Sequence, residues 1–425
     1  MGIAFNIHTP CEISDGMIDD FISGERDKLE LWTSGRDALD ADGLGWKVVD
    51  KWAGEETLKS IIAAAHDIQQ KADTLAFISI GGSSFPATSV LEGLTAGFDV
   101  PVKTVVVGNG VSARSLASSL KKLNEGEVCV FLNCKNFKTV EPGAHFRIIR
   151  SYMESRYGSG AKDRIFVCGS EGEGQLAEFC GKMGYRHFIF PVDSCVRYAA
   201  LSPSGLLPMA ASGIDIGSLV AGAKALAAYY DSVDVGSNPA VRYAIARQLL
   251  FRKGYPVELQ VHYEPFLSAM GKLWQELFAE NEGKNKTGVL PVCCCFSEDL
   301  HALGQFIQDG NPICFETMLD LRDNTRQCIF EHPDGVNDGF DYLDGREFTV
   351  LADAVYEGAL EAHSEGGVPC LEIKCKEYNP FTFGELLYFL MYSAHVSAKL
   401  FSAFPFDQPG VEKYKTRMMC ALGKI

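Results

Sequence analysis

The chain has 425 residues, 47% of them apolar and 22% charged, the balance of a globular protein long enough for two or three domains. A net charge of −16 and an isoelectric point near 5.1 argue against nucleic acid or an anionic membrane surface as the main partner, since either needs a broad basic face. The fourteen cysteines are scattered, and MGIAFNIHTP has no basic stretch followed by an apolar run, so reduced thiols and a cytoplasmic location are expected.

Residues 1–50 read as an N-terminal arm. From Thr74 onward, short β-rich runs (TLAFISI, KTVVVG, EVCVFLN, RIFVCG, RHFIF) alternate with helical patterns. This predicts a parallel sheet covered by helices on both faces, within a first domain over 51–201. The stretch SPSGLLPMAASGIDIGSLVAGAKALAAYY contains Pro208, Asp215 and Lys224. It lacks the roughly 20-residue apolar run of a membrane span and reads as a buried helix pair. A second alternating set (VELQVHY, GVLPVCCCF, NPICFETMLDL, VPCLEIK) follows, so residues 202–378 are expected to hold a helical connection and a second α/β domain. Within it, 323–344 is rich in Gly, Asp and Asn and reads as a surface excursion. Residues 379–425 read as a C-terminal helical segment broken at FPFDQPG. The run Cys293, Cys294, Cys295 falls in a strand, where adjacent side chains point to opposite faces and cannot converge on one metal ion; it reads as core.

Two strand-to-helix turns carry the first chemical signal. ISIGGSS places Gly82 and Ser83 after the first strand of the sheet, and VFLNCKNFKTVEPG places Cys134, Lys135, Asn136, Lys138 and Thr139 after another. Glycines let a backbone approach a ligand, and the first amides of a helix attract an anion. Neither a GxxxxGK[ST] nor a GxGxxG motif is present, so a sugar phosphate is favoured over a nucleotide.

The runs VRYAALSPSGLLPMAASGIDI, VHYEPF, AENEGKNKTGVLP, SEDLHALGQFIQDG, NPFTFGELLYF and FDQPGVEKYK resemble the glucose-6-phosphate isomerase family, in order and spacing, from about Leu44 to the C-terminus. The likeness is to its shorter bacterial members. It implies an α/β fold of two sugar-isomerase (SIS) domains, doubly wound with mainly parallel sheets, and a C-terminal helical segment. It further implies no cofactor, a phosphorylated hexose as substrate, aldose–ketose isomerisation through a cis-enediol, and a homodimer whose active sites borrow from the partner subunit.

The resemblance also assigns roles. Glu280 in AENEGK matches the base that moves a proton between C1 and C2, with Glu282 as its rival. His301 in EDLHALGQ matches the ring-opening histidine and Glu141 in KTVEPG the carboxylate that orients it. Lys415 matches the C-terminal lysine, with Lys413 as the solvated alternative, and Arg197 the cation beside the developing enediolate. Gln408 in FDQ matches a substrate-binding glutamine. Three departures stand out. Cys134, Asn136 and Lys138 replace hydroxyl-bearing residues of the phosphate loop, Cys195 and Val196 replace two glycines before Arg197, and Glu276 replaces a glutamine one helical turn before the base. A carboxylate at 276 is expected to repel a phosphate unless a cation such as Lys138 intervenes. The alternatives are an isomerase of a related phosphorylated sugar, or a SIS-fold protein that binds sugar phosphates with little or no turnover.

Overall fold

The computed structural model describes residues 2–424 except 9, 41, 137–138, 172–174, 324–326 and 333–337. Among the described residues ten strands form two five-stranded sheets. They are β1 (Ile3–His8), β2 (Thr74–Ile78), β3 (Lys103–Val107), β4 (Val128–Asn133), β5 (Ile165–Gly169), β6 (Arg186–Ile189), β7 (Val257–His262), β8 (Leu290–Cys295), β9 (Cys314–Asp320) and β10 (Cys370–Cys375).

The first sheet has the order β3-β2-β4-β5-β6 and is parallel throughout. Every residue of β2, β4 and β5 is buried, because helices cover both faces and leave no solvated side for polar alternation. The chain leaves β2 toward β3 and then crosses back to β4, which makes the carboxyl ends of β2 and β4 a switch point where loops diverge and a crevice opens. The second sheet, β1-β10-β9-β7-β8, repeats this logic, with its switch point between β7 and β9. Its parallel strands are those expected from the sequence. The addition is β1, drawn from the N-terminal arm, which pairs antiparallel with β10 from Ile3 opposite Cys375 to His8 opposite Cys370. On β8, Cys294 is buried in the core and its two neighbours are half-buried, the alternation a strand imposes.

Between the sheets lies a helical core. The expected buried helix pair forms as Pro203–Ala211 and Ile216–Ser232, the latter capped by Asp215, whose carboxylate accepts from the Ser218 amide at 2.9 Å. Helix Pro380–Leu400 is buried at every position from Thr382 to Ala398, and it crosses Ile216–Ser232 at backbone contact. A Cβ on Gly384 would fall 1.8 Å from the Leu219 carbonyl oxygen, and one on Gly222 would fall 1.9 Å from that of Phe381. Among the described residues no helix is long and apolar enough to cross a membrane. The surface excursion around 323–344 lies partly outside the described residues; Asp341–Leu343 within it forms a turn of 3₁₀ helix with no buried residue. Helix Ser268–Glu282, which follows β7, reaches back to the first sheet and delivers its side chains to the β2–β4 crevice.

Candidate active site

The crevice begins at the turn after β2. Gly81 has φ +51°, a left-handed value that glycine adopts without strain, and Gly82 is buried where three elements close together. A Cβ there would meet Glu276 Oε1 at 2.7 Å, Val196 Cγ2 at 3.1 Å and Arg197 Cβ at 3.2 Å. The neighbouring loop is fastened alongside. Asn133, the last residue of β4, donates from Nδ2 to the Ser83 carbonyl at 2.6 Å, and Ser79 Oγ donates to the Asn133 carbonyl at 3.2 Å. The two turns singled out in the sequence therefore share one edge.

Within the second turn the side chains divide. Cys134 is packed in the core, its Sγ donating to the Asn136 carbonyl at 2.6 Å, and burial pushes its thiol up to about 11. Its side chain thus faces inward, away from the crevice that the sequence reading gave it. Lys135 spans to the segment before Arg197, with Nζ donating to the Ser194 carbonyl at 3.3 Å and lying 5.4 Å over the Phe190 ring. Asn136 is half-buried. Thr139 is the exposed N-cap of helix Val140–Tyr157, and its hydroxyl makes no capping bond, so among the described residues no N-cap side chain competes with an anion for the Val140 and Glu141 amides, Pro142 having none. Glu141 is half-buried in the first turn of the same helix. Lys138 lies outside the described residues.

Arg197 is fully buried and aimed by two contacts. Its Nε donates to Asn281 Oδ1 at 2.6 Å and its Nη2 to the Pro405 carbonyl at 2.5 Å, while Nη1 is buried without a partner among the described residues. Asn281 is itself held by the Tyr198 hydroxyl. Sequence reasoning missed both anchors. Asn281 carried a signal, a polar residue directly after the candidate base at the end of an apolar helix, whereas the Pro405 contact is made by backbone and leaves no trace in residue type.

Glu276 is half-buried, and its Oε2 is buried with no partner among the described residues. Burial pushes its carboxyl up to about 7; nearby Arg197 and the Gly82 amide oppose the rise and Glu280 reinforces it. A carboxyl that holds its proton toward neutrality carries less negative charge than the sequence expectation assumed. Glu280, one turn further along the helix, is half-buried and has no side-chain hydrogen bond or ion pair among the described residues. Its rival Glu282 is fully buried and committed elsewhere: Oε2 and Oε1 accept from Arg247 at 2.8 and 2.9 Å, and Oε1 accepts from the Val289 amide at 3.1 Å.

Among the described residues no hydrogen bond or ion pair ties His301, Lys415 or Gln408 to this crevice. His301 is exposed on helix Glu298–Asp309, and no hydrogen bond or ion pair joins it to Glu141. Lys415, on helix Glu412–Ala421, pairs with Glu412 at 3.2 Å, and Lys413 is exposed. Gln408 is half-buried ahead of the Pro409–Val411 turn. The segment before it is tied to the site from two sides, by the Pro405 carbonyl on Arg197 and by Asp407 on Lys284 at 2.8 Å.

No protein-family model matches the chain. It is 36% identical over 391 residues to a glucose-6-phosphate isomerase of Caldanaerobacter subterraneus subsp. tengcongensis, covering 90% of this chain and 86% of that protein. It is 38% identical over 389 residues to the glucose-6-phosphate isomerase of Symbiobacterium thermophilum, covering 89% and 87%. The fold superposes on the crystal structure of a glucose-6-phosphate isomerase from Chlamydia trachomatis with a TM-score of 0.83 at 14% identity, over 99% of this chain and 88% of that one.

Proposed function

The chain belongs to the glucose-6-phosphate isomerase family, and from that premise we propose that it interconverts glucose 6-phosphate and fructose 6-phosphate, without a cofactor, through the open-chain sugar and a cis-enediol. The observation that carries this reading is the pairing of an unengaged, half-buried Glu280 with a fully buried Arg197 whose Nη1 is unsatisfied. Proton abstraction beside a carbonyl needs a base at the carbon and a fixed cation where negative charge develops, and a cation in a dry site is worth most. In this reading the phosphate lies over the open amides of helix Val140–Tyr157, with Ser83 and Thr139 as hydroxyl donors, and Gln408 contacts the sugar. Glu280 carries the proton between C2 and C1, and Arg197 Nη1 meets the enediolate oxygen.

His301 and Lys415 open the ring, and Glu141 orients His301. His301 is exposed and has no hydrogen bond or ion pair with Glu141 among the described residues, which fits a homodimer in which the histidine of one chain completes the site of the other. The enzyme works in the cytoplasm.

A coupled assay that oxidises glucose 6-phosphate as it forms from fructose 6-phosphate tests the proposal. Turnover in the wild type and its loss in Glu280→Gln, with sugar phosphate still bound, is the expected result. Binding without turnover at high wild-type concentration would overturn it in favour of a sugar-phosphate-binding protein.

A further inference from the structure

Glu276 and Arg197 both pack around Gly82, yet no ion pair within 4.0 Å joins them, and each keeps one fully buried atom, Oε2 and Nη1, without a hydrogen-bond partner among the described residues. Desolvated polar atoms are almost always satisfied. Two opposite ones at a crevice mark where a third group completes the network. Resting on the isomerase reading, we propose that Glu276 is a second proton carrier, serving the sugar oxygens while Glu280 serves the carbons.

The reaction includes a transfer that a carboxyl here can serve. As the carbonyl moves from C1 to C2, one proton must change carbons, and a second must be gained by O1 and lost from O2. With Glu276 as the acid and Glu280 as the base, Glu280 takes the proton from C2. The C–H electron pair becomes the C1=C2 bond, the carbonyl π pair moves to O1, and Glu276 gives its proton to O1. In the second half Glu276, now a carboxylate, takes the proton from the O2 hydroxyl. The O2 pair forms C2=O, and the C1=C2 π pair accepts the proton held by Glu280 at C1. Both carboxyls end as they began. Arg197 neutralises the oxygen during each transfer, and Glu280 is the other charged group close to Glu276, with the Gly82 amide facing it from the turn. A carboxyl whose proton is held to about pH 7 is matched to this task, since efficient general acids titrate near working pH. A glutamine at this position can hydrogen-bond the same oxygens but has no proton to give.

The test compares kcat and its pH dependence in the wild type and Glu276→Gln, with thermal unfolding as the check on folding. Wild-type kcat should fall as pH rises above about 7, and the variant should lose about 10²-fold in kcat and show no such limb, while KM changes little. Unchanged kcat in Glu276→Gln, or an alkaline limb that persists in it, overturns the proposal. If the variant does not fold, the wild-type profile decides: no fall in kcat between about pH 6 and 9 overturns it. An inactive wild type overturns the isomerase reading as well, whereas an active wild type silenced by Glu280→Gln and indifferent to Glu276→Gln overturns only the role of Glu276.

Discussion

Arg247 and Glu282 are both fully buried and meet through two hydrogen bonds of 2.8 and 2.9 Å. Arg247 also reaches Glu258 at 3.0 Å, and Ser397 Oγ donates to Glu282 at 2.6 Å. Removing Glu282 leaves Arg247 with Glu258 as its remaining carboxylate and strips two charged hydrogen bonds from the buried guanidinium, and breaking a buried pair in this way costs about 3–5 kcal/mol. Glu282→Ala is therefore expected to lower the stability measured by urea unfolding by about that amount. Glu280→Gln should leave the urea midpoint near that of the wild type and remove activity. Reversed outcomes would exchange the roles of the two glutamates.

Arg197→Lys keeps a positive charge but not the geometry. One ammonium cannot hold Asn281 and Pro405 with two separate nitrogens and still present a third to substrate. kcat/KM for fructose 6-phosphate should fall about 10²–10³-fold, the usual cost of losing one preorganised donor to a developing oxyanion. A loss under tenfold would mean that Nη1 does not meet the reacting oxygen.

Glu276 also predicts how stability depends on pH. Its carboxyl titrates near 4.5 when unfolded and at about 7 when folded, so the folded state holds the proton more tightly. The resulting stabilisation is complete below about pH 4.5 and is lost as pH rises through about 7. Glu276→Gln has no proton to lose, so relative to the wild type it should gain up to about 3 kcal/mol between those limits. Denaturant unfolding of both proteins across this range checks it, and parallel curves would show that the carboxyl is not enclosed.

Gly384 and Gly358 separate packing from propensity. Gly384→Ala would drive a methyl group into the Leu219 carbonyl at 1.8 Å and should destabilise the protein by about 3 kcal/mol or more by pushing two core helices apart. Gly358, on helix Thr349–Glu365, is exposed and meets nothing within 4 Å. Its change to Ala should stabilise the protein by up to about 1 kcal/mol. Thermal or urea unfolding measures both.

The amino-acid sequence by itself determined the parallel strands of both sheets, the buried helix pair and the order of the site motifs. All of these are local: a run of buried β-branched residues or a glycine turn is legible wherever it occurs. β1 escaped because IAFNIH is an edge strand whose partner lies at the other end of the chain. Motif position favoured Glu280 over Glu282, but the commitment of Glu282 to the core escaped for a related reason. Two residues apart on one helix they face different directions, and only Arg247, brought in from another helix, shows which one is committed to the core. Tertiary structure alone decided that Cys134 turns inward, that Asn281 and Pro405 aim Arg197, and that Glu276 keeps its proton to about pH 7. Burial and hydrogen-bond partners come from segments far apart in the chain. They set the charge and direction of a side chain, and residue type and spacing carry neither.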